Sequence, residues 1–306
     1  MNKIKNKKLK NLLLALPFVL PGLLLVSIFV LYPMFFTIYI SLSEYKIVSR
    51  EINFIGFANY IAIFSSGSEF WYAVRNNFLY AIVTIPVIIF GGLFFAYLLD
   101  NLKHGKTFFK VGFYLPVITS WVIVALVFRY MFGNANTGFF NYLLVDVLHL
   151  TDEYIPWLFR EWSGNAAIWL MGIWKNLGWA LIIFLAALQT ISKELYEAAS
   201  VDGASFWQKF KFIVMASIKP TIFFVMVNMV IGSFNVFLQV LMLTGGNPND
   251  TTTVLQFLLY SLAFSDREFG QASALGLVIA VLVLIVTIIL NKYFKLNKDN
   301  EGNDAV

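Results

Sequence analysis

The residues of this chain best suited to chemistry are amides and tryptophans set inside apolar runs. Polar side chains are costly there and turn toward a cavity or a protein neighbour rather than lipid. Asn228, Gly232, Asn235 and Gln239 follow one another at spacings of four, three and four, which predicts one shared helical face. An amide offers donors and an acceptor, as a hydroxyl-rich ligand requires. The same face also fits an interhelical hydrogen-bond seam. Gly172, Asn176 and Trp179 repeat the pattern in an earlier run, with Lys175 beside them. Trp179 could stack on the apolar face of a sugar ring. Thr119, Ser120 and Trp121 follow soon after Pro116, a site for a kink. A Trp at a membrane interface, or a Lys near a helix end, is the ordinary alternative for these residues.

Catalysis has no comparable set. His104 and His149 are the only histidines, and the topology below puts them on opposite sides of a membrane, so they form no local metal site. Neither an H-E-x-x-H nor a G-x-S-x-G pattern occurs. Gly105-Lys106-Thr107 looks like the tail of a phosphate-binding loop, but the glycine required five residues earlier is Asp100. With no Cys there is neither a disulfide nor a thiolate metal site. The expectation is a chain with no catalytic residue, metal or cofactor, which takes any energy of ATP from a partner.

The elements that must position these residues follow from composition. The 306 residues are 59% hydrophobic and 13% charged, with mean hydropathy +0.76 and 32 Phe. A soluble domain carries about 25% charged residues. The net charge of +5 does not point to nucleic acid, because the basic residues form short clusters between apolar runs. A spanning helix needs roughly 20 mostly apolar residues. Six segments qualify, at about 12–42, 72–99, 108–132, 166–188, 213–243 and 271–293. The first and fifth exceed one crossing and must tilt, bend or project, and Pro17, Pro21 and Pro33 give the first its bending points. We read that first run as an uncleaved span, since no small-x-small site precedes a polar boundary.

Lys and Arg in short loops set orientation. An inside N-terminus gathers Lys3, Lys5, Lys7, Lys8, Lys10, Lys103, Lys106, Lys110, Lys193, Lys209, Lys211, Lys219, Lys292, Lys295 and Lys298 on the cytoplasmic side, 15 of the 22 basic residues. The opposite loops carry mainly acids, among them Glu44, Asp152, Glu161 and Asp250. The resulting fold class is an all-α polytopic membrane protein. A basic cytoplasmic segment spans 1–11, a transmembrane domain 12–294 and a polar cytoplasmic tail 295–306. Trp71, Tyr72, Trp157 and Trp162 flank spans, as headgroup-level aromatics do.

One cytoplasmic loop, 193–212, carries more than a connection. Glu197, Ala198 and Ala199 favour helix and Gly203 favours a turn. A second helix is expected from near Ser205 toward Pro220, with Phe206, Trp207 and Phe210 as an apolar ridge. The residues alone fit either a partner-docking element or a loop packed on its own bundle.

The run Glu197-Ala198-Ala199, Asp202-Gly203-Ala204, Phe210, Ile213 and Pro220 resembles the EAA loop of permease subunits of binding-protein-dependent ABC importers. Leu31-Tyr32-Pro33, Phe57-Ala58-Asn59-Tyr60, Phe70-Trp71, Leu115-Pro116, Leu185–Gln189, Thr244-Gly245-Gly246, Thr251-Thr252-Thr253 and Gly270–Ala274 extend the resemblance to the carbohydrate branch, and over nearly the whole chain. It implies a type I importer permease bundle in a bacterial plasma membrane. In it, Glu197, Ala198, Ala199, Asp202 and Gly203 form the coupling contact to an ATP-binding subunit. The implied partners are a second homologous permease, two ATP-binding subunits, an extracytoplasmic solute-binding protein and a sugar. Sugar-contacting positions then fall at Trp121, Gly172, Asn176, Trp179, Asn228 and Gly232, while Asn235 and Gln239 join through the shared face.

The family commonly has Leu-Pro where Met215-Ala216 stands and Pro where Ser192 stands, which predicts a gentler bend in this loop. A glycerol-phosphate or polyol importer is the alternative within the family. Outside it, an ion-driven secondary transporter would need an intramembrane acid, for which Asp100 is the nearest candidate.

Overall fold

The computed structural model describes residues 2–46, 49, 51–65 and 69–303, with side chains described only within 14–292 and at Phe294. The side chains of Lys3, Lys5, Lys7, Lys8, Lys10, Lys295 and Lys298, on which the orientation leans, lie outside the described residues. In chain order the elements are α1 (Asn2–Val26), a π segment (Ser27–Leu31), α2 (Tyr32–Ser41), β1 (Ser43–Lys46), β2 (Glu51–Phe54) and α3 (Ala58–Phe64). Then come α4 (Glu69–Asn101), α5 (Lys106–Ile118), α6 (Trp121–Met131), α7 (Phe139–Asn141) and α8 (Glu161–Leu188). The remainder is α9 (Lys193–Val201), α10 (Phe206–Lys209), α11 (Met215–Ser217), α12 (Lys219–Phe234), α13 (Leu238–Leu243), α14 (Leu255–Tyr260) and α15 (Phe269–Asn303). The chain divides into two compact units, Met1–Ser65 with Leu259–Val278, and Ser66–Leu258 with Ile279–Val306.

In the first unit, Leu14–Ser41 is one apolar run long enough to cross a membrane, with mean hydropathy 2.6 and none of its apolar window buried in protein. Pro17 and Pro21 lie inside α1 without ending it. The π segment sits just before Pro33, where a wider turn makes room for a ring that would otherwise meet the preceding carbonyls. The helical chain also carries an antiparallel hairpin, Ser43 opposite Phe54 through Lys46 opposite Glu51, which hydropathy alone did not predict. Buried Asn59 fastens it, donating from Nδ2 to the carbonyls of Ser41 at 2.9 Å and Ser43 at 3.0 Å. The Gly270 backbone passes so close to Ser43 and Asn59 that any side chain there would overlap them.

The second unit is built on α4 and α8. Ala180 meets the bare backbone of Gly92, since small residues let helices approach where lipid supplies no hydrophobic drive. Two expected spans are broken. The span at 108–132 is α5 and α6, bent by 95°, with Thr119 and Ser120 extended between them. The span at 213–243 does not start cleanly either. The helical run Phe206–Ser217 meets α12 at 71°, and α12 stops at Phe234 before α13 begins. The bend at Ser217 is therefore sharp despite Met215-Ala216, and Pro220 supplies it from the first turn of α12. Among the described residues four helices are long and apolar enough to cross alone, and up to six spans result if each bent pair counts as one.

Candidate functional site

Opening a helix inside a bilayer exposes backbone groups that lipid cannot satisfy, so a break must bring its own partners. At the first break, Thr119 Oγ1 donates to the Leu115 carbonyl at 2.8 Å. Three further carbonyls are taken by Lys175 of α8. Its Nζ donates to Pro116 at 2.9 Å, Val117 at 3.2 Å and Thr119 at 2.6 Å, and the same ammonium lies 4.8 Å from the centre of the Trp121 ring. Lys175 is thus a buried mid-helix residue at 5% exposure, which removes the alternative of a Lys near a helix end. Gly178, one turn on, lets the Phe113 carbonyl approach too closely for any side chain.

The second break is closed from α4. Asn77 Nδ2 donates to the Ser233 carbonyl at 2.7 Å, and Asn77 Oδ1 accepts from Leu255 N–H at 2.8 Å. Asn76 Nδ2 holds the Thr251 and Thr253 carbonyls at 2.7 and 2.8 Å. Arg75 adds an ion pair to Glu161 at 2.6 Å. Asn235 caps α12, its N–H reaching the Gly232 carbonyl at 3.0 Å and its Nδ2 the Ile231 carbonyl at 2.9 Å.

The two breaks frame a pair of adjoining cavities that share Trp121, Asn176, Met229 and Leu238. One, of about 350 Å³, adds Tyr80, Thr84, Gly232, Ser233, Asn235 and Gln239. The other, of about 630 Å³, adds Thr119, Ser120, Lys175, Trp179 and Asn228. Seven of the eight residues expected on a pathway therefore line one cavity or the other: Trp121, Asn176, Trp179, Asn228, Gly232, Asn235 and Gln239.

Gly172 does not. A Cβ there would overlap the Tyr80 hydroxyl, so Gly172 is a packing residue between α4 and α8. Nor do Asn228, Gly232, Asn235 and Gln239 form one helical face, because Asn235 ends α12 and Gln239 belongs to α13. The cavity unites them instead. Asn176, Asn228 and Asn235 each spend one amide hydrogen on the carbonyl four residues back. Tyr80, Thr84 and Ser233 were missed in the sequence, although Asn77, Tyr80 and Thr84 recur at three and four within an apolar run.

The loop at 193–212 forms a compact second candidate site. Ser192 caps α9, accepting from Glu194 N–H at 3.2 Å, so a serine does here what a helix-starting proline would do elsewhere. The helix ends in paired bonds, Gly203 N–H to Ser200 O at 3.2 Å and Ala204 N–H to Ala199 O at 2.8 Å. That ending requires a left-handed residue, and Gly203 provides it at φ +75°. Ser205 and Gln208 form a reciprocal capping box that starts α10. Phe206 and Phe210 pack on Tyr97 of α4 at 4.7 and 5.2 Å between ring centres, and Lys209 Nζ donates to Ser200 Oγ at 2.7 Å.

Glu197, Ala198, Asp202 and Gly203 are exposed and Ala199 is half-buried. Leu195, Val201 and Trp207 stand exposed beside them. Of the predicted ridge, Phe206 and Phe210 turn to α4 while Trp207 faces out. The Tyr196 hydroxyl is buried without a hydrogen-bond partner among the described residues, and burial pushes it up to about 12. It therefore stays protonated through the neutral range. Asp100, the acid an ion-driven carrier would need within the membrane, sits at the end of α4, 3.9 Å from Lys106. Among the described residues no group of three or more His, Cys, Asp or Glu could hold a metal.

Comparison with known proteins agrees over almost the full length. The chain is 32% identical over 292 residues to the probable ABC transporter permease protein YurN of Bacillus subtilis, covering 95% of this chain and 99% of that one. It is 32% identical to the arabinooligosaccharides transport system permease protein AraP of Bacillus subtilis, covering 93% and 88%. It is 30% identical to the trehalose/maltose transport system permease protein MalF of Thermococcus litoralis, covering 97% and 98%. In fold it is similar to a chain of a bacterial ABC transporter that imports the acidic polysaccharide alginate, at a TM-score of 0.81 and 24% identity over 96% and 99% of the two chains. Residues 55–295 match the family described as binding-protein-dependent transport system inner membrane component. The chain belongs to that family, as a multi-pass permease component of an ABC transport system.

Proposed function

We propose that the chain forms half of the translocation pathway of an ATP-driven importer for a sugar or oligosaccharide and hydrolyses no nucleotide itself. Its partners are a second, homologous permease, two ATP-binding subunits and an extracytoplasmic solute-binding protein. Both termini lie in the cytoplasm of a bacterial plasma membrane, which exposes the 193–212 loop to the ATP-binding subunit. Glu197, Ala198, Ala199, Asp202 and Gly203 make that contact. Closure of the ATP-binding pair pushes α9, and the anchoring of Phe206 and Phe210 on Tyr97 passes the push to α4, which lines the cavity.

The observation that carries the reading is the amide- and tryptophan-lined cavity held open by two broken helices in a chain of this family. Amides match sugar hydroxyls and indole rings match sugar faces. The relatives named for arabinooligosaccharides and for trehalose and maltose support a saccharide cargo.

The test is uptake of labelled oligosaccharides by the complex reconstituted with its co-encoded partners. Uptake should require both ATP and the solute-binding protein. Asn228→Leu with Asn235→Leu should cut it at least tenfold while the complex still assembles. Unchanged uptake in that variant would reduce the amides to packing, and uptake that survives ATP depletion would overturn the reading.

A further inference from the structure

The Lys175 ammonium has no carboxylate within 4 Å among the described residues, and no Asp or Glu lines either cavity. Its three protons are satisfied by the Pro116, Val117 and Thr119 carbonyls. Those carbonyls are dipoles: they solvate the protonated amine but supply no counter-charge. A buried charge is ordinarily paired, because water no longer screens it. Here it borders an open cavity, so a counter-charge can arrive with a ligand.

We propose that the pathway takes an anionic saccharide, carrying a carboxylate or a phosphate ester, and that Lys175 is the residue that selects it. This rests on the reading of the cavity as the sugar pathway and names the substrate class for it. With its protons used, Lys175 acts through its field and not through a direct hydrogen bond. The field reaches the cavity beside Trp121, whose ring touches the ammonium and lines both cavities. A sugar stacked on that ring holds its acidic group within several ångströms of Nζ. At that range, in a partly screened interior, one charge pair is worth roughly a tenfold preference or more. The start of α6 has the same sign: Ser120 gives it no side-chain cap, so the positive end of the α6 dipole opens beside the residues lining this cavity.

The experiment is equilibrium binding to the assembled complex in nanodiscs, with three disaccharide probes of matched size: cellobiose, its uronate cellobiouronic acid, and a cellobiose phosphate ester. The wild type should bind one or both acidic probes at least about tenfold more tightly than cellobiose, and the two acidic arms separate carboxylate from phosphate recognition. Lys175→Met should collapse the ratio of acidic to neutral affinity to near one, and Lys175→Arg should keep it. Equal binding of all three probes by the wild type would overturn the proposal, as would an acidic preference that survives in Lys175→Met. If Lys175→Met fails to assemble, the wild-type ratio and Lys175→Arg still decide. Binding of none of the probes would instead overturn the reading of the cavity as a sugar pathway, and the inference with it.

Discussion

Side chains inside this membrane domain do two jobs, and the structure separates them residue by residue. Asn77 and Lys175 satisfy backbone carbonyls at helix breaks, whereas Asn176, Trp179 and Gln239 face space. Gly172 shows how alike the two can look in sequence, since its spacing matched the cavity residues but its neighbour is Tyr80. Gly172→Ala should therefore act on packing first. Overfilling a tight contact costs about 1–3 kcal/mol, so the purified complex should unfold at lower temperature, and Tyr80→Phe in the same chain should recover part of the loss. A Gly172→Ala protein of unaltered thermal stability would contradict this contact. Tyr80 and Thr84 escaped the sequence reading because each, taken alone, is an ordinary residue for a helix. Only the break in α12, brought alongside by Asn77, turns their face into a wall.

At the scale of elements, hydropathy located the long apolar helices but not the breaks in two of the expected spans. Pro116 marked the first within a few residues. The second was marked only by Asn235, in Asn235-Val236-Phe237, a stretch with neither proline nor glycine. What stops α12 there is the supply of partners from α4, a property of the fold and not of the segment. The 193–212 loop was far more legible, because its signals are local: a serine before each helix, a helix-favouring Glu-Ala-Ala and a glycine at the left-handed position. That makes it testable by small changes. Gly203→Pro cannot adopt φ +75° and should destroy the turn. Glu197→Lys leaves the turn intact but reverses an exposed charge. Both should uncouple ATP hydrolysis from uptake in proteoliposomes, or prevent assembly with the ATP-binding subunit. Normal coupled transport in both would remove the loop from the mechanism.

For the whole molecule, composition was enough to read a helical membrane protein, and family membership and fold agree with that reading, with four to six candidate spans among the described residues. What composition could not supply was the origin of the cavity, since it depends on two helices that stop short and two polar side chains that permit them to. The central claim is that the loop carrying Glu197 through Gly203 receives the push of an ATP-binding partner. The chain contains no Cys, so a single introduced cysteine can report on this directly. With Ala198→Cys labelled by a photoactivatable maleimide in the assembled complex, the account predicts a covalent adduct with the ATP-binding subunit. Leu150→Cys, exposed in the loop read as external, should give none. Capture of the ATP-binding subunit from Leu150 but not from Ala198 would contradict the account.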